Sequence, residues 1–151
     1  TAARIFDITP LDPDVTATAA EIVGAKLPDT AAEDSFSFLP TLLGQTGKLA
    51  RTTLVSHSIN GSFAIRDGSW KLALCPGSGG WSAPRPGMKD ADLPPNQLFD
   101  LSTDIGEKTN LQDKHPETVA RLTKLLEKYV ADGRSTPGEP QQNAVAVKIR
   151  K

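Results

Sequence analysis

Cysteine is almost absent: Cys75 is the only one in 151 residues. One cysteine forms no internal disulfide, and a cysteine-rich metal site is excluded. It suits the cytosol as well as many exported bacterial proteins. Charge of one sign is missing too. Lys and Arg number 17 against 18 Asp and Glu, a net charge of −1, so the chain lacks the basic field that nucleic acid demands. No run approaches the ~18 apolar residues of a membrane span. The opening TAARIFDITP has no initiator Met, no charged n-region and no apolar h-region. We read it as the start of an excised piece of a longer protein, without a signal peptide of its own. Neither repeats nor low-complexity tracts occur. What remains is 38% hydrophobic and 23% charged, a balance that argues against disorder. A domain of this length buries roughly two-thirds of its unfolded surface, enough for a core.

Residues 12–24, DPDVTATAAEIVG, predict a short helix. Asp12 caps it, Pro13 suits the first turn and Gly24 suits the stop. Val15, Ala19, Ile22 and Val23 fall near one face. Asp34 or Ser35 is placed to cap a second short helical turn carrying Phe36, Phe38, Leu39, Leu42 and Leu43, kept short by Pro40 and ended by Gly44. Next comes TTLVSHSINGSFAIRDGSWKLAL, where two of the strongest hairpin signals, Asn60-Gly61 and Asp67-Gly68, punctuate short apolar runs. Both dipeptides tolerate the two positive φ angles of a type I′ turn. A three-stranded meander over 52–59, 62–66 and 69–75 follows, with a fourth strand at 97–102. PGSGGWSAPRPGMKDADLPP between them is too rich in Gly and Pro for regular structure; loops of that length are usually functional or mobile. Val119, Leu122, Leu125, Leu126, Tyr129 and Val130 make an apolar stripe on a helix over 115–133, with Pro116 at its start and Gly133 at its end. The polar tail includes AVAVKI at 144–149, a candidate weak strand. The pattern predicts an α+β fold: a small antiparallel sheet, three-strand meander plus fourth strand, packed on a long C-terminal helix and preceded by short helices.

Chemistry-bearing residues are few. Cys75-Pro76-Gly77-Ser78-Gly79-Gly80 has the backbone of an anion cradle, but no P-loop lysine follows; a structural turn with a small buried cysteine is the plainer reading. His57 lies mid-strand, with Ser56 and Ser58 pointing to the opposite face, a poor geometry for a Ser–His pair. It is read as an edge-strand histidine or as part of a site's rim. His115 stands at a helix start and is read as structural. Asp100, Asp104, Glu107 and Asn110 have oxygen ligands but not the alternation of a Ca²⁺ loop, so turn and cap chemistry is expected of them. Trp70 should pack and Lys71 should be solvated. Trp81, in the long loop, either packs or stacks on a ring-shaped ligand. Read from the residues alone, this is a sheet-and-helix module with one long loop and no nucleophile–base pair.

Five segments taken in order resemble the C-terminal part of bacterial arylsulfatases, members of the sulfatase family in the alkaline-phosphatase-like superfamily. They are AEDSFSFLPTLLG (32–44), VSHSINGSFAIRDGSWKLAL (55–74), PGSGGW (76–81), QLFDLSTDIGEKTNL (97–111) and GRSTPG (133–138). The resemblance implies a division into 1–50, the end of a large catalytic domain with its connector; 51–138, the small C-terminal α+β domain; and 139–151, a polar tail. It also implies chemistry. A Cys or Ser in C/S-x-P-S/A-x-R becomes formylglycine, whose hydrate attacks the ester sulfur while Ca²⁺ and fixed cations stabilise anionic oxygens. Here Pro76 comes one place too early after Cys75 and the arginine is missing, so Cys75 is not that precursor. No catalytic or metal residue is carried over, and Ca²⁺ and formylglycine are expected in a catalytic domain N-terminal to residue 1.

The expected function is therefore the C-terminal domain of a sulfatase, inactive alone. It packs on the catalytic domain of the same polypeptide, with His57 and Trp81 as candidate rim residues toward a sulfate-ester substrate. By resemblance the parent is periplasmic or secreted. The isolated piece, with apolar positions over 5–44 uncovered, is expected to self-associate or to leave its N-terminal stretch disordered. A stand-alone carbohydrate- or partner-binding module without catalysis is the competing reading.

Overall fold

The computed structural model describes residues 12–45, 51–80, 82–84 and 93–150. Two units divide the chain, one of Thr1–Arg51 with Ala131–Gln142 and one of Thr52–Val130 with Asn143–Lys151.

The second unit is the sheet and its helix. Strands β1 (Thr53–His57), β2 (Phe63–Asp67), β3 (Trp70–Ala73) and β4 (Gln97–Asp100) pair antiparallel in the order β1-β2-β3-β4. Register aligns Val55, Ile65, Leu72 and Leu98 in one row across the sheet. The strand period of two sends this row to one face. There Ile65, Leu72, Leu74 and Leu98 are buried with Leu122 and Leu126 of a helix, Pro116–Asp132, and Val55, Phe63, Trp70, Val119, Leu125 and Tyr129 pack around them. The predicted helical stripe is thus the lid of the core. Tyr129 Oη and Thr53 Oγ1 share a hydrogen bond of 3.0 Å at its edge.

The two turns differ from expectation. Asn60 does not take a positive φ; Gly61 does, at 72°. Gly61 N–H donates to Ser58 O and Ser58 N–H to Ser62 O, the three-residue loop in which a type I turn is followed by a left-handed glycine. Five residues, not two, separate His57 from its partner Phe63. In the second turn Asp67 pairs with Trp70, so the loop is Gly68-Ser69 with Gly68 at φ 60° and Ser69 not positive. That fits type II′, which wants glycine first. The dipeptides marked the hairpins but misassigned the turn type, because Asp67 serves as the last strand residue rather than as a loop residue.

AVAVKI adds no strand. Ile149 instead packs on the core, and Arg150 Nη1 donates to Asn96 Oδ1 at 2.7 Å.

The first unit has helix α1 (Asp12–Ile22) and one helical turn, α2 (Leu39–Leu42), with the sheet's helix becoming α3. Gly24 and Gly44 follow the two helices at φ 68° and 73°. Neither Asp34 nor Ser35 caps α2. Its N-cap is Phe38, without a side-chain bond, because Pro40 needs a place in the first turn. Ser35 Oγ instead accepts from Ala17 N–H, and Asp34 Oδ1 from Ser135 N–H. The buried side of α1 is polar. Asp14 Oδ1 accepts Phe36 N–H and its Oδ2 accepts Arg51 Nη2 at 2.6 Å; Thr18 Oγ1 accepts Phe38 N–H. Its apolar residues Val15 and Ile22 face out at 54% and 60% exposure, and Val23 just beyond it, at 75%, and Leu42 and Leu43 at the end of α2 are exposed as well. Ordinary surface helices do the reverse. Arg134, 6% exposed, holds the GRSTPG loop by donating to the carbonyls of Thr136, Pro137 and Glu139 and pairing with Asp29.

Candidate functional site

The sheet face away from α3 carries two rows of side chains. One row on it is Leu54, Arg66, Lys71 and Phe99; the next is Ser56, Ala64, Ala73 and Gln97. The second row is low because two of its members are alanines. A hollow of about 350 Å³ forms over it, closed on one side by the Cys75–Gly79 turn and on another by Glu107.

The Gly-rich turn is built to press close. A Cβ at Gly79, φ 65°, would meet Cys75 Sγ at 2.9 Å, and one at Gly77, φ 62°, would meet Pro84 backbone oxygen at 2.7 Å. Gln97 Nε2 donates to the carbonyls of Cys75 and Gly77 and fixes the turn to β4. Cys75 is half-buried, and burial pushes its thiol up, against weaker opposing effects of the Ser62 hydroxyl and Lys71. It is a small packed thiol and not an activated nucleophile. We expect iodoacetamide at pH 8 to alkylate it more slowly in the native chain than in denaturant. An equal or faster native rate would contradict that burial.

Lys71 is not a freely solvated lysine. Its Nζ donates to Glu107 Oε1 and Oε2 at 2.6 and 2.8 Å. Glu107 takes a left-handed φ of 52°, and it leaves the turn-and-cap role expected of it. Asp100, Asp104 and Asn110 keep that role. Asp100 Oδ1 accepts the hydroxyl and N–H of Ser102, which hold its carboxyl below the usual range. Asp104 Oδ2 accepts Lys108 and Thr109 N–H, and Asn110 Oδ1 accepts Leu98 and Gln112 N–H. Among the described residues no group of three or more His, Cys, Asp or Glu is placed to hold a metal ion.

His57 ends edge strand β1, exposed, at the border of the hollow. Its ring lies 6.1 Å from Phe63, and Nδ1–H donates to Ser58 O at 3.1 Å. Trp81 lies outside the described residues. His115 is structural: its carbonyl accepts Thr118 and Val119 N–H at the start of α3, and its ring tilts on Trp70 at 5.0 Å. Sequence reasoning missed the Lys71–Glu107 pair. The two lie 36 residues apart, and only the pairing of β3 with β4 brings their neighbourhoods together.

No protein-family model matches the chain. An N-acetylgalactosamine-6-O-sulfatase of Bacteroides thetaiotaomicron is 38% identical over 117 residues, 76% of this chain and 22% of that protein. A solved structure described with the metabolism of multiple glycosaminoglycans by the same organism is 34% identical at TM-score 0.59, covering 76% of this chain and 24% of the other. A 2-O GAG sulfatase shares the fold at TM-score 0.54 and 22% identity, covering 81% of this chain and 26% of its own. The chain spans about a quarter or less of the length of these relatives.

Proposed function

This chain matches a C-terminal region of a bacterial sulfatase, and from that premise we propose that it serves an enzyme hydrolysing sulfate esters, packing on and rimming the active site of a catalytic domain elsewhere in the same polypeptide. The observation that carries the reading is the 38% identity to an N-acetylgalactosamine-6-O-sulfatase of which the chain spans only 22%. In this reading a sulfated N-acetylgalactosamine is the substrate class and the periplasm or the cell exterior the location.

On this reading the chemical centre lies elsewhere in the polypeptide. Cys75-Pro76-Gly77-Ser78 does not fit a formylglycine precursor, and Asp100 and Asp104 are bound to backbone N–H groups and Glu107 to Lys71. Ca²⁺ and formylglycine are assigned in this reading to the catalytic domain. The inverted α1 supports packing on that domain: Val15, Ile22 and Val23 face out, as a helix covered by further polypeptide would present them. An exposed histidine at a sheet edge supports the rim. His57 and Trp81 would act on substrate binding and orientation, not on bond cleavage.

His57→Ala and Trp81→Ala in the full-length protein are each expected to lower kcat/KM on N-acetylgalactosamine 6-sulfate by on the order of 10-fold, mainly through KM. Unchanged kcat/KM in both variants would remove the rim role.

A further inference from the structure

We infer that segment 143–150 is a strap that fixes the base of the β3–β4 connection, with Ile149 as its anchor and Arg150 as its catch. The strap stands on the contacts alone; its effect on substrate binding deepens the rim reading and rests on it.

The segment has the period of an extended chain lying on a surface. Val147 and Ile149 are half-buried, and Lys148 and Arg150 are exposed, the alternation that extended backbone gives. It makes no strand, and side chains hold it in place. Asn143 Nδ2 donates at 2.6 Å to Val130 O, a carbonyl of the last turn of α3 that has no partner within the helix. Ile149 packs against the core cluster of Ile65, Leu72, Leu98 and Leu122. Arg150 Nη1 donates to Asn96 Oδ1 at 2.7 Å, 54 residues away. The length suffices for this course. Tyr129, next to Val130, bonds Thr53 of edge strand β1, and Asn96 precedes β4 at the other edge. Those edges lie about 14 Å apart at ~4.8 Å per strand spacing, and an extended chain from Asn143 to Ile149 reaches about 20 Å.

Asn96 is where the connection re-enters the sheet. Its carbonyl accepts Asn110 Nδ2 at 3.0 Å, and Asn110 Oδ1 accepts Leu98 N–H at 3.0 Å. The next residue, Gln97, donates through Nε2 to the carbonyls of Cys75 and Gly77, where the connection leaves β3. Both ends of the connection thus meet at Asn96-Gln97, and Arg150 reaches that junction from beyond α3. An arginine suits the catch, because its guanidinium offers an amide oxygen a charge-assisted bond. Arg150 is a positioning residue: it acts on the Cys75–Gly79 turn through Asn96 and Gln97. Trp81 belongs to the same connection, which is how the strap bears on the rim.

Hydrogen–deuterium exchange of the full-length protein, read by mass spectrometry on its peptides, tests the strap. Arg150→Ala is expected to speed exchange at 75–79 and 97–98 on the order of 10-fold, with the β1–β2 hairpin, 53–67, unchanged. Arg150→Lys should restore most of the protection. Asn96→Ala combined with Arg150→Ala should add nothing to either alone, because both remove the same bond. Unchanged exchange at 75–79 in Arg150→Ala overturns the inference, and so does speeding by the same factor at 53–67, which a general loss of stability would give. On the sulfatase reading Arg150→Ala also raises KM for N-acetylgalactosamine 6-sulfate by roughly 3-fold with kcat unchanged. An unchanged KM beside the expected exchange pattern takes the connection out of the rim and keeps the strap. Absence of sulfate release by the wild type sinks the sulfatase reading instead, and the exchange pattern then judges the strap on its own.

Discussion

Leu122→Ala is expected to destabilise the chain by about 3 kcal/mol, lowering Tm by roughly 6–12 °C for a protein of this size. Leu122 is fully buried, at 0% exposure. It packs with Ile65, Leu72 and Leu98, one buried residue from each of β2, β3 and β4. Truncation loses the transfer free energy of three carbons and leaves a cavity that a pleated sheet cannot collapse to fill. The core has only seven buried hydrophobic residues among those described, so each carries a large share. Lys124→Ala, on the exposed side of the same helix, is the control and should stay within about 0.5 kcal/mol. Thermal unfolding followed by circular dichroism reads both; similar Tm values for the two variants would mean that α3 does not close the core.

The same core explains what was legible in the sequence. Val119, Leu122, Leu125, Leu126 and Tyr129 announced α3 at helical spacing, and Ile65, Leu72 and Leu98 announced their strands by alternation, because both periods survive any tertiary arrangement that buries one face. The hairpins were marked by their glycines, since Gly61 and Gly68 take positive φ. Turn type was not legible. It depends on where pairing stops, and cross-strand contacts set that point. The tail's AVAVKI carried strand propensity without a partner edge, and packing of Ile149 on the core prevailed. Long-range polar contacts were invisible for a related reason. Nothing local in Lys71 or Glu107 names the other, and α1's polar interior depends on Arg51, 37 residues from Asp14. The candidate site was half legible: His57 and the Gly-rich turn stood out by residue type, while the hollow joining them arises only from a register that lines up two alanines.

The remaining large effect is catalytic. Enzymes commonly accelerate their reactions by a factor of about 10⁶ or more, and on the proposed reading all of that comes from sequence beyond these 151 residues. On that reading this chain contributes a rim histidine and a docking helix, and the groups that attack sulfur and hold Ca²⁺ lie elsewhere in the polypeptide. Sulfate released from N-acetylgalactosamine 6-sulfate, measured side by side for the full-length protein and for the purified 151-residue chain, tests this division most directly. The account predicts steady release by the full-length protein and none above the buffer blank by the chain. Turnover by the chain at a rate near that of the full-length protein would contradict it.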